Sequence, residues 1–269
     1  MSHPKIGLSL SGGGARGIAH VGLLQALIEE GLPPGRIAGT SAGAIVGVLY
    51  AAGLSVEQIM DFVRHSSVFK LIKVGIPLMG LTKLDYLRAQ LTALLPVPTF
   101  EELNIPLQIG ITNLNSGKLE IRSSGPLIEV IVAACSIPFV FKPVEMDGNL
   151  YVDGGVMSNL PLGDLCAETD FVIGSNLIPH TEIPAGELNN VVSIMARVFD
   201  LSIRYNSQPS ADCCDFMFEP TELMKYQVYH LHKWQELYDL GYQEAHKLMP
   251  QLRRKLAKKL AAQRRREAI

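Results

Sequence analysis

Apolar residues fall into two rhythms along the chain. One is a set of short runs bounded by Gly, Pro, Asn or charged residues: 5–10 (KIGLSL, ended by Ser-Gly-Gly-Gly), 107–112, 118–122, 150–152, 170–175 (DFVIGS) and 215–218. Runs of this length between turn residues predict buried strands. The second rhythm is helical. Ile18, Val21, Leu24, Leu27 and Ile28 recur every three or four positions over 17–30, where Gly31, Pro33 and Pro34 stop the helix. Further helices are predicted over 42–52, from a Ser55-Val56-Glu57-Gln58 capping box onward, over 83–95, over 126–134 with Pro126 in its first turn, and from about 189 to 205. A short second strand between 31 and 42 completes a right-handed βαβ unit. Strands alternating with helices predict an α/β fold with a mostly parallel sheet covered on both faces.

The stretch 37–56 carries no charge and holds Gly39, Gly43 and Gly47 at the spacing of a small-residue membrane-helix face. It contains only seven Leu, Ile or Val, and Arg36 belongs to the strand that leads into it, so burial in a globular core explains it better than a bilayer does. Composition agrees: 48% hydrophobic and 19% charged residues with 24 Gly in 269 exclude disorder and collagen-like structure. Cys135, Cys166, Cys213 and Cys214 contain no C-x-x-C and suit neither a disulfide framework nor a zinc site; they read as buried thiols, with no metal expected. The start, MSHPKIGLSLSGGG, lacks the apolar core of a secretory signal, so a cytoplasmic location without signal peptide or transmembrane segment is expected.

Three polar clusters carry the chemistry. Gly12-Gly13-Gly14-Ala15-Arg16-Gly17 fits G-x-G-x-x-G between a strand and a helix. A dinucleotide site would place an acid at the end of the second strand to hold the ribose, and that strand ends instead in Gly39-Thr40-Ser41. The other use of three glycines is to let backbone N–H groups converge on one small volume at the positive end of a helix, as an oxyanion hole requires. Arg16 either adds charge there or anchors the loop.

Gly39-Thr40-Ser41-Ala42-Gly43 fits G-x-S-x-G between a strand and a helix, where small neighbours leave a serine Oγ exposed on a sharp turn. A serine needs a base. The histidines downstream (His65, His180, His230, His232, His246) have no supporting pattern; His230 and His232 fall in a long helical region, and His20 lies in the first helix as a packed residue. Asp153, after the strand 150–152 and before Gly154-Gly155, is the better candidate, because a desolvated aspartate takes up a proton more readily. An ordinary Asp-Gly turn would read the same way.

Taken together, these three clusters resemble, in order, the glycine-rich, nucleophile-elbow and Asp-Gly-Ala/Gly motifs of patatin-like phospholipases, with further likeness at Ser136-Ile137-Pro138 and Asn159-Leu160-Pro161 over residues 5–180. The resemblance implies a three-layer α/β/α sandwich and a metal- and cofactor-free serine lipid acyl hydrolase. In it Ser41 is the nucleophile and Asp153 the base, backbone N–H groups of Gly12, Gly13 and Gly14 hold the oxyanion, and Arg16, Gly17, Gly39, Gly43, Gly154 and Gly155 support them. The alternative is a non-catalytic lipid-binding protein that keeps the fold. The expected partner is a lipid or phospholipid ester.

Residues 68–81 are a candidate apolar wall or lid beside Ser41. The division expected is a catalytic domain over 1–250 and a basic segment over 251–269. That segment has eight Lys or Arg against one acid, leaving 16 basic and 25 acidic residues in 1–250. Leu248, Leu252, Leu256 and Leu260 recur every four positions in it, so it either packs through its leucines or lies on the anionic inner face of a membrane. Nucleic-acid binding is not expected of a chain whose remainder is acidic. Oligomeric state is left open by the sequence.

Overall fold

A computed structural model describes residues 4–65, 84–179 and 182–267. The candidate lid at 68–81 and His180 lie outside them. The strands are β1 (Ile6–Leu10), β2 (Arg36–Gly39), β3 (Leu107–Asn113), β4 (Lys118–Arg122), β5 (Val144–Met146), β6 (Asn149–Asp153), β7 (Phe171–Ser175) and β8 (Phe216–Phe218). The helices are α1 (Ile18–Glu29), α2 (Ala42–Ala51), α3 (Val56–His65), α4 (Asp85–Leu94), α5 (Leu127–Ala134), α6 (Leu165–Glu168), α7 (Val191–Cys213) and α8 (Trp234–Glu267). Among the described residues the strands form one sheet in the order β5-β6-β3-β2-β1-β7-β8, with β4 on β3. The segment β3-β2-β1-β7-β8 is parallel and the β3-β4, β3-β6 and β5-β6 pairs are antiparallel, so the fold is mixed α/β with a mostly parallel central sheet flanked by helices.

β1, β3 and β7 are buried along their whole length, because both sheet faces are covered. The larger core lies on the face of α1, α2, α3, α5 and α8, where Leu8, Leu24, Leu27, Ile37, Leu49 and Ile59 are fully enclosed. On the other face, Ala38 and Val172 alternate with Ile37 and Ile173 along their strands and pack on Leu165 of α6. The β5–β6 hairpin was not legible as two strands. It turns at Asp147 (φ 51) and Gly148 (φ 72), the left-handed pair that a two-residue turn between twisted strands demands.

One helix runs longer than the sequence pattern predicts, and another begins later. α7 starts at an Asn190–Ser193 capping box and continues past Tyr205 and through Pro209 to Cys213, because Ile203 and Ser207 keep its inner face buried. α8 passes through Pro250 without a break. His230 and His232 are not in it: they sit in the short turn before Trp234. Gly22 and Gly241 let α1 and α8 meet backbone to backbone, since a Cβ on Gly241 would lie 2.3 Å from the Ala19 carbonyl oxygen. Leu252 and Leu256 are buried there and Leu248 and Leu260 pack against the same core. Arg253 pairs with Glu30 at 2.6 Å and Lys259 with Asp215 at 2.5 Å, so the leucine face of this helix is covered by the protein itself.

Candidate active site

Ser41 stands where β2 turns into α2. Its backbone, at φ 53 and ψ −128, lies where an L side chain is strained, which concentrates at functional turns when surrounding structure over-determines it. Here three things hold it. The Ser41 N–H donates to the Ala134 carbonyl at 3.0 Å and the Thr40 N–H to that of Leu10 at 3.3 Å. β1 crosses so closely that a Cβ on Gly43 would sit 2.2 Å from the Leu10 oxygen, and one on Gly39 would sit 2.7 Å from the oxygen of Gly43. The glycines of G-x-S-x-G are therefore steric requirements of the crossing.

β3 brings the carboxylate to the serine. It pairs with β2 up to Gly39↔Ile109 and with β6 at Ile111↔Asp153, so the ends of both strands meet along one stretch of it. Asp153 is 6% exposed. Its Oδ1 accepts from the Gly155 N–H at 2.8 Å and from Thr40 Oγ1 at 3.4 Å, and the Ser41 hydroxyl lies near enough to the same carboxylate to favour its charged form. Its own N–H donates to the Ser136 carbonyl at 3.1 Å. A Cβ on Gly154 would lie 2.2 Å from the Gly110 oxygen, so this corner also admits no side chain. Burial raises the Asp153 carboxyl from 3.8 to about 6, against the lowering pull of Ser41, Gly155 and Thr40. The neighbouring Cys135 thiol donates to the Ser41 carbonyl at 3.5 Å, and burial next to Asp153 pushes its pKa well up, so it stays protonated.

The glycine loop forms the opposite wall. Gly12 is not a free donor: its N–H donates to Asn159 Oδ1 at 3.1 Å, and Asn159 Nδ2 returns a bond to the Gly12 oxygen at 3.5 Å. Asn159 is itself fixed through its N–H to Ser207 Oγ at 2.7 Å. Among the described residues, the Gly13 and Gly14 N–H groups have no protein acceptor, and both glycines line the cavity over Ser41. Gly14, at φ 59, lies against the Val228 carbonyl, which accepts the Ala15 N–H at 2.7 Å. Arg16 does not itself line the cavity, although its charge acts on Asp200, which does. Arg16 is buried and donates through Nε to the Tyr226 carbonyl at 2.8 Å and through a terminal nitrogen to Met224 Sδ at 3.3 Å, so it anchors the loop. Gly17 allows the Ala42 methyl to approach: its Cβ would be 2.4 Å away.

The described histidines are engaged elsewhere. His20 is fully buried with Nδ1 2.8 Å from Ser175 Oγ and Nε2 2.8 Å from the Ser11 carbonyl. Because a carbonyl only accepts, Nε2 carries the proton and Nδ1 accepts from Ser175, and burial lowers the imidazole to about 4. His65 bonds the Asp61 carbonyl, His230 accepts from the Gln227 N–H, His246 bonds Glu29, and the His232 ring meets that of His230 edge-on. Among the described residues no cluster of three His, Cys, Asp or Glu is placed to hold a metal.

A cavity of about 180 Å³ opens over Ser41 and Asp153, walled by Ile137, Val156, Phe199, Ile203 and Val228 as well as the glycines. Phe199 and Ile203 come from α7, and Val228 from the turn before α8. Ile137 falls in Ser136-Ile137-Pro138, but no motif marks Val156, Phe199, Ile203 or Val228. Asn159 was visible in the sequence only as part of Asn159-Leu160-Pro161, and its grip on Gly12 depends on a contact 147 positions away.

A serine on a strand-turn-helix elbow, set beside a buried carboxylate beneath a glycine loop, is the arrangement of a serine–carboxylate site on an α/β sheet. The chain belongs to the patatin-like phospholipase family: the family model described as Patatin-like phospholipase matches residues 8–165. It is 32% identical over 214 residues to an uncharacterized NTE family protein of Mycobacterium bovis, covering 75% of this chain and 59% of that one. It is 33% identical over 173 residues to the lysophospholipase NTE1 of Saccharomyces cerevisiae, covering 62% of this chain and 10% of the yeast protein. The chain thus spans about three fifths of the mycobacterial relative and a small part of the yeast one. It is also similar to the crystal structure of VipD from Legionella pneumophila, with a TM-score of 0.48 and 15% identity over 89% of this chain and 67% of VipD.

Proposed function

We propose that this protein is a serine lipid acyl hydrolase of the phospholipase A or esterase type, working through Ser41 and Asp153. The observation that carries the reading is that Ser41, on its strained elbow, and the buried carboxylate of Asp153 line one cavity whose walls are mainly apolar. Family membership and the likeness to a protein named lysophospholipase support a lipid ester as substrate. The cavity is smaller than the roughly 300–1,000 Å³ of drug-sized pockets, which suits the ester end of one acyl chain.

Asp153 takes the Ser41 proton as Oγ bonds the ester carbonyl carbon. The oxyanion then faces the N–H groups of Gly13 and Gly14 at the positive end of the helical turn Gly14–Gly17. Gly12, with its N–H already committed to Asn159, shapes the loop rather than donating. Asp153 passes its proton to the departing alcohol oxygen as the C–O bond breaks, leaving an acyl ester on Ser41. A water deprotonated by Asp153 attacks that ester, and the proton returns to Oγ as the fatty acid leaves. One oxyanion donor is worth about 2.7–4 kcal/mol and the base about 10²- to 10⁴-fold in rate.

The test is labelling by a fluorophosphonate probe together with turnover of an activated short-chain ester. Ser41→Ala should abolish both, Asp153→Asn should remove most turnover, and single His→Ala changes should leave it. An unlabelled wild type whose ester turnover matches that of Ser41→Ala would mark a lipid-binding protein without this chemistry.

A further inference from the structure

Helix α7 is apolar on two opposite faces. Phe199 and Ile203 point into the cavity over Ser41. On the outer side Val191, Ile194, Met195, Val198, Leu201 and Tyr205 recur at helical spacing and are all exposed, Tyr205 to 82%. Single exposed apolar residues need no explanation, but a contiguous stripe over four turns is the kind of patch that marks an interaction surface.

The helix that carries the stripe is tied to the rim of the cavity, and further exposed apolar residues neighbour that rim in sequence. Phe139, two residues from the wall residue Ile137, is 71% exposed and held at φ 69, a strained backbone for a bulky side chain. Met157, next to the wall residue Val156, is exposed as well, and Asn206 of α7 donates to the Val156 carbonyl at 3.0 Å, tying that rim to the helix.

We propose that this outer face of α7, with Phe139 and Met157, docks on a phospholipid bilayer and so delivers lipid to the cavity that its inner face lines. The choice of a bilayer over a second copy of the chain rests on the lipid-hydrolase reading above and on the character of the stripe. It is aliphatic, closes on a tyrosine, and is bordered on one side by Arg197 and Arg204, the layout of a helix lying in a membrane interface. The surrounding chain is acidic outside 251–269, so the attachment is by apolar insertion, and zwitterionic lipid suffices for it. The leucine face of α8 is already covered by α1 and takes no part.

The experiment is co-sedimentation of the whole chain with phosphatidylcholine vesicles, run beside turnover of a soluble short-chain ester. Wild type should bind with little sensitivity to added salt. Met195→Glu and Val198→Glu should each weaken vesicle binding by about tenfold or more while keeping soluble-ester turnover and the native circular dichroism spectrum. Tyr205→Trp, which asks less of the fold, should gain fluorescence quenched by brominated phosphatidylcholine above the Trp234 background. Variants that bind vesicles as well as wild type overturn the proposal. So does a wild type that ignores vesicles and is instead an oligomer that Val198→Glu dissociates, since a second copy then covers the stripe. If vesicle binding is lost in the variants but wild type hydrolyses no ester, the docking surface stands and the hydrolase reading falls.

Discussion

Asp153 carries opposite consequences for activity and stability, and both follow from its burial. In the proposed role of base it must be ionised, so kcat/KM on a soluble ester should fall as pH drops through about 6, with no histidine substitution moving that limb. Stability runs the other way. A carboxyl raised from 3.8 to about 6 holds its proton more tightly folded than unfolded, so stability declines as pH rises through that window and the cost is fully present above about 6. Asp153→Asn removes the ionisation and keeps an oxygen for the Gly155 N–H. It should therefore be inactive yet as stable as wild type or more so at pH 8, by up to about 3 kcal/mol, with the gain vanishing toward pH 4. Urea melts at the two pH values check this. A wild type that gains stability from pH 4 to pH 8 relative to Asp153→Asn would contradict it. The two residues themselves were legible because G-x-S-x-G and Asp-Gly-Gly are local demands. That Thr40 also touches Asp153, and that the Gly12 N–H is occupied, were not, because both bonds join segments more than 100 residues apart.

The elbow depends on elements crossing at backbone distance. Gly43→Ala puts a methyl carbon 2.2 Å from the Leu10 oxygen, an atom of a fully buried strand that has nowhere to move, so it should cost about 3 kcal/mol and most of the activity. Gly35→Ala, with nothing within 4 Å of the added carbon, is the comparison that should stay near neutral. Thermal melts of the two variants side by side make the measurement. Among the elements, β1, β2, β3, β7 and the first two helices were plain in the hydrophobic pattern because their burial is continuous or strictly periodic. β5 was missed because three residues of a half-exposed hairpin carry too little pattern. The continuation of α7 was missed because Tyr205 and Pro209 look like an ending, whereas its buried inner face continues through Ile203 and Ser207.

At the scale of the molecule, α8 closes the large core. Leu252 is 2% exposed between α8 and α1, and Leu252→Ala should cost about 2–5 kcal/mol by denaturant unfolding, far more than removing one surface charge of the same helix. The basic character of 251–269 misdirects attention here: its lysines and arginines face solvent or Glu30 and Asp215, and its leucines do the packing. Among the described residues no helix is long and apolar enough to cross a membrane.

The sequence by itself determined the strand-helix alternation, the uncharged run around the elbow, and the three polar clusters, because each is a constraint that neighbouring residues impose on one another. Only the tertiary structure decided which of those clusters meet. Parallel pairing of β2 on β3, followed by β6 on the same strand, sets Asp153 beside Ser41. The wall of the cavity and the exposed outer face of α7 depend on where a long helix lies across the sheet, and no local pattern encodes that.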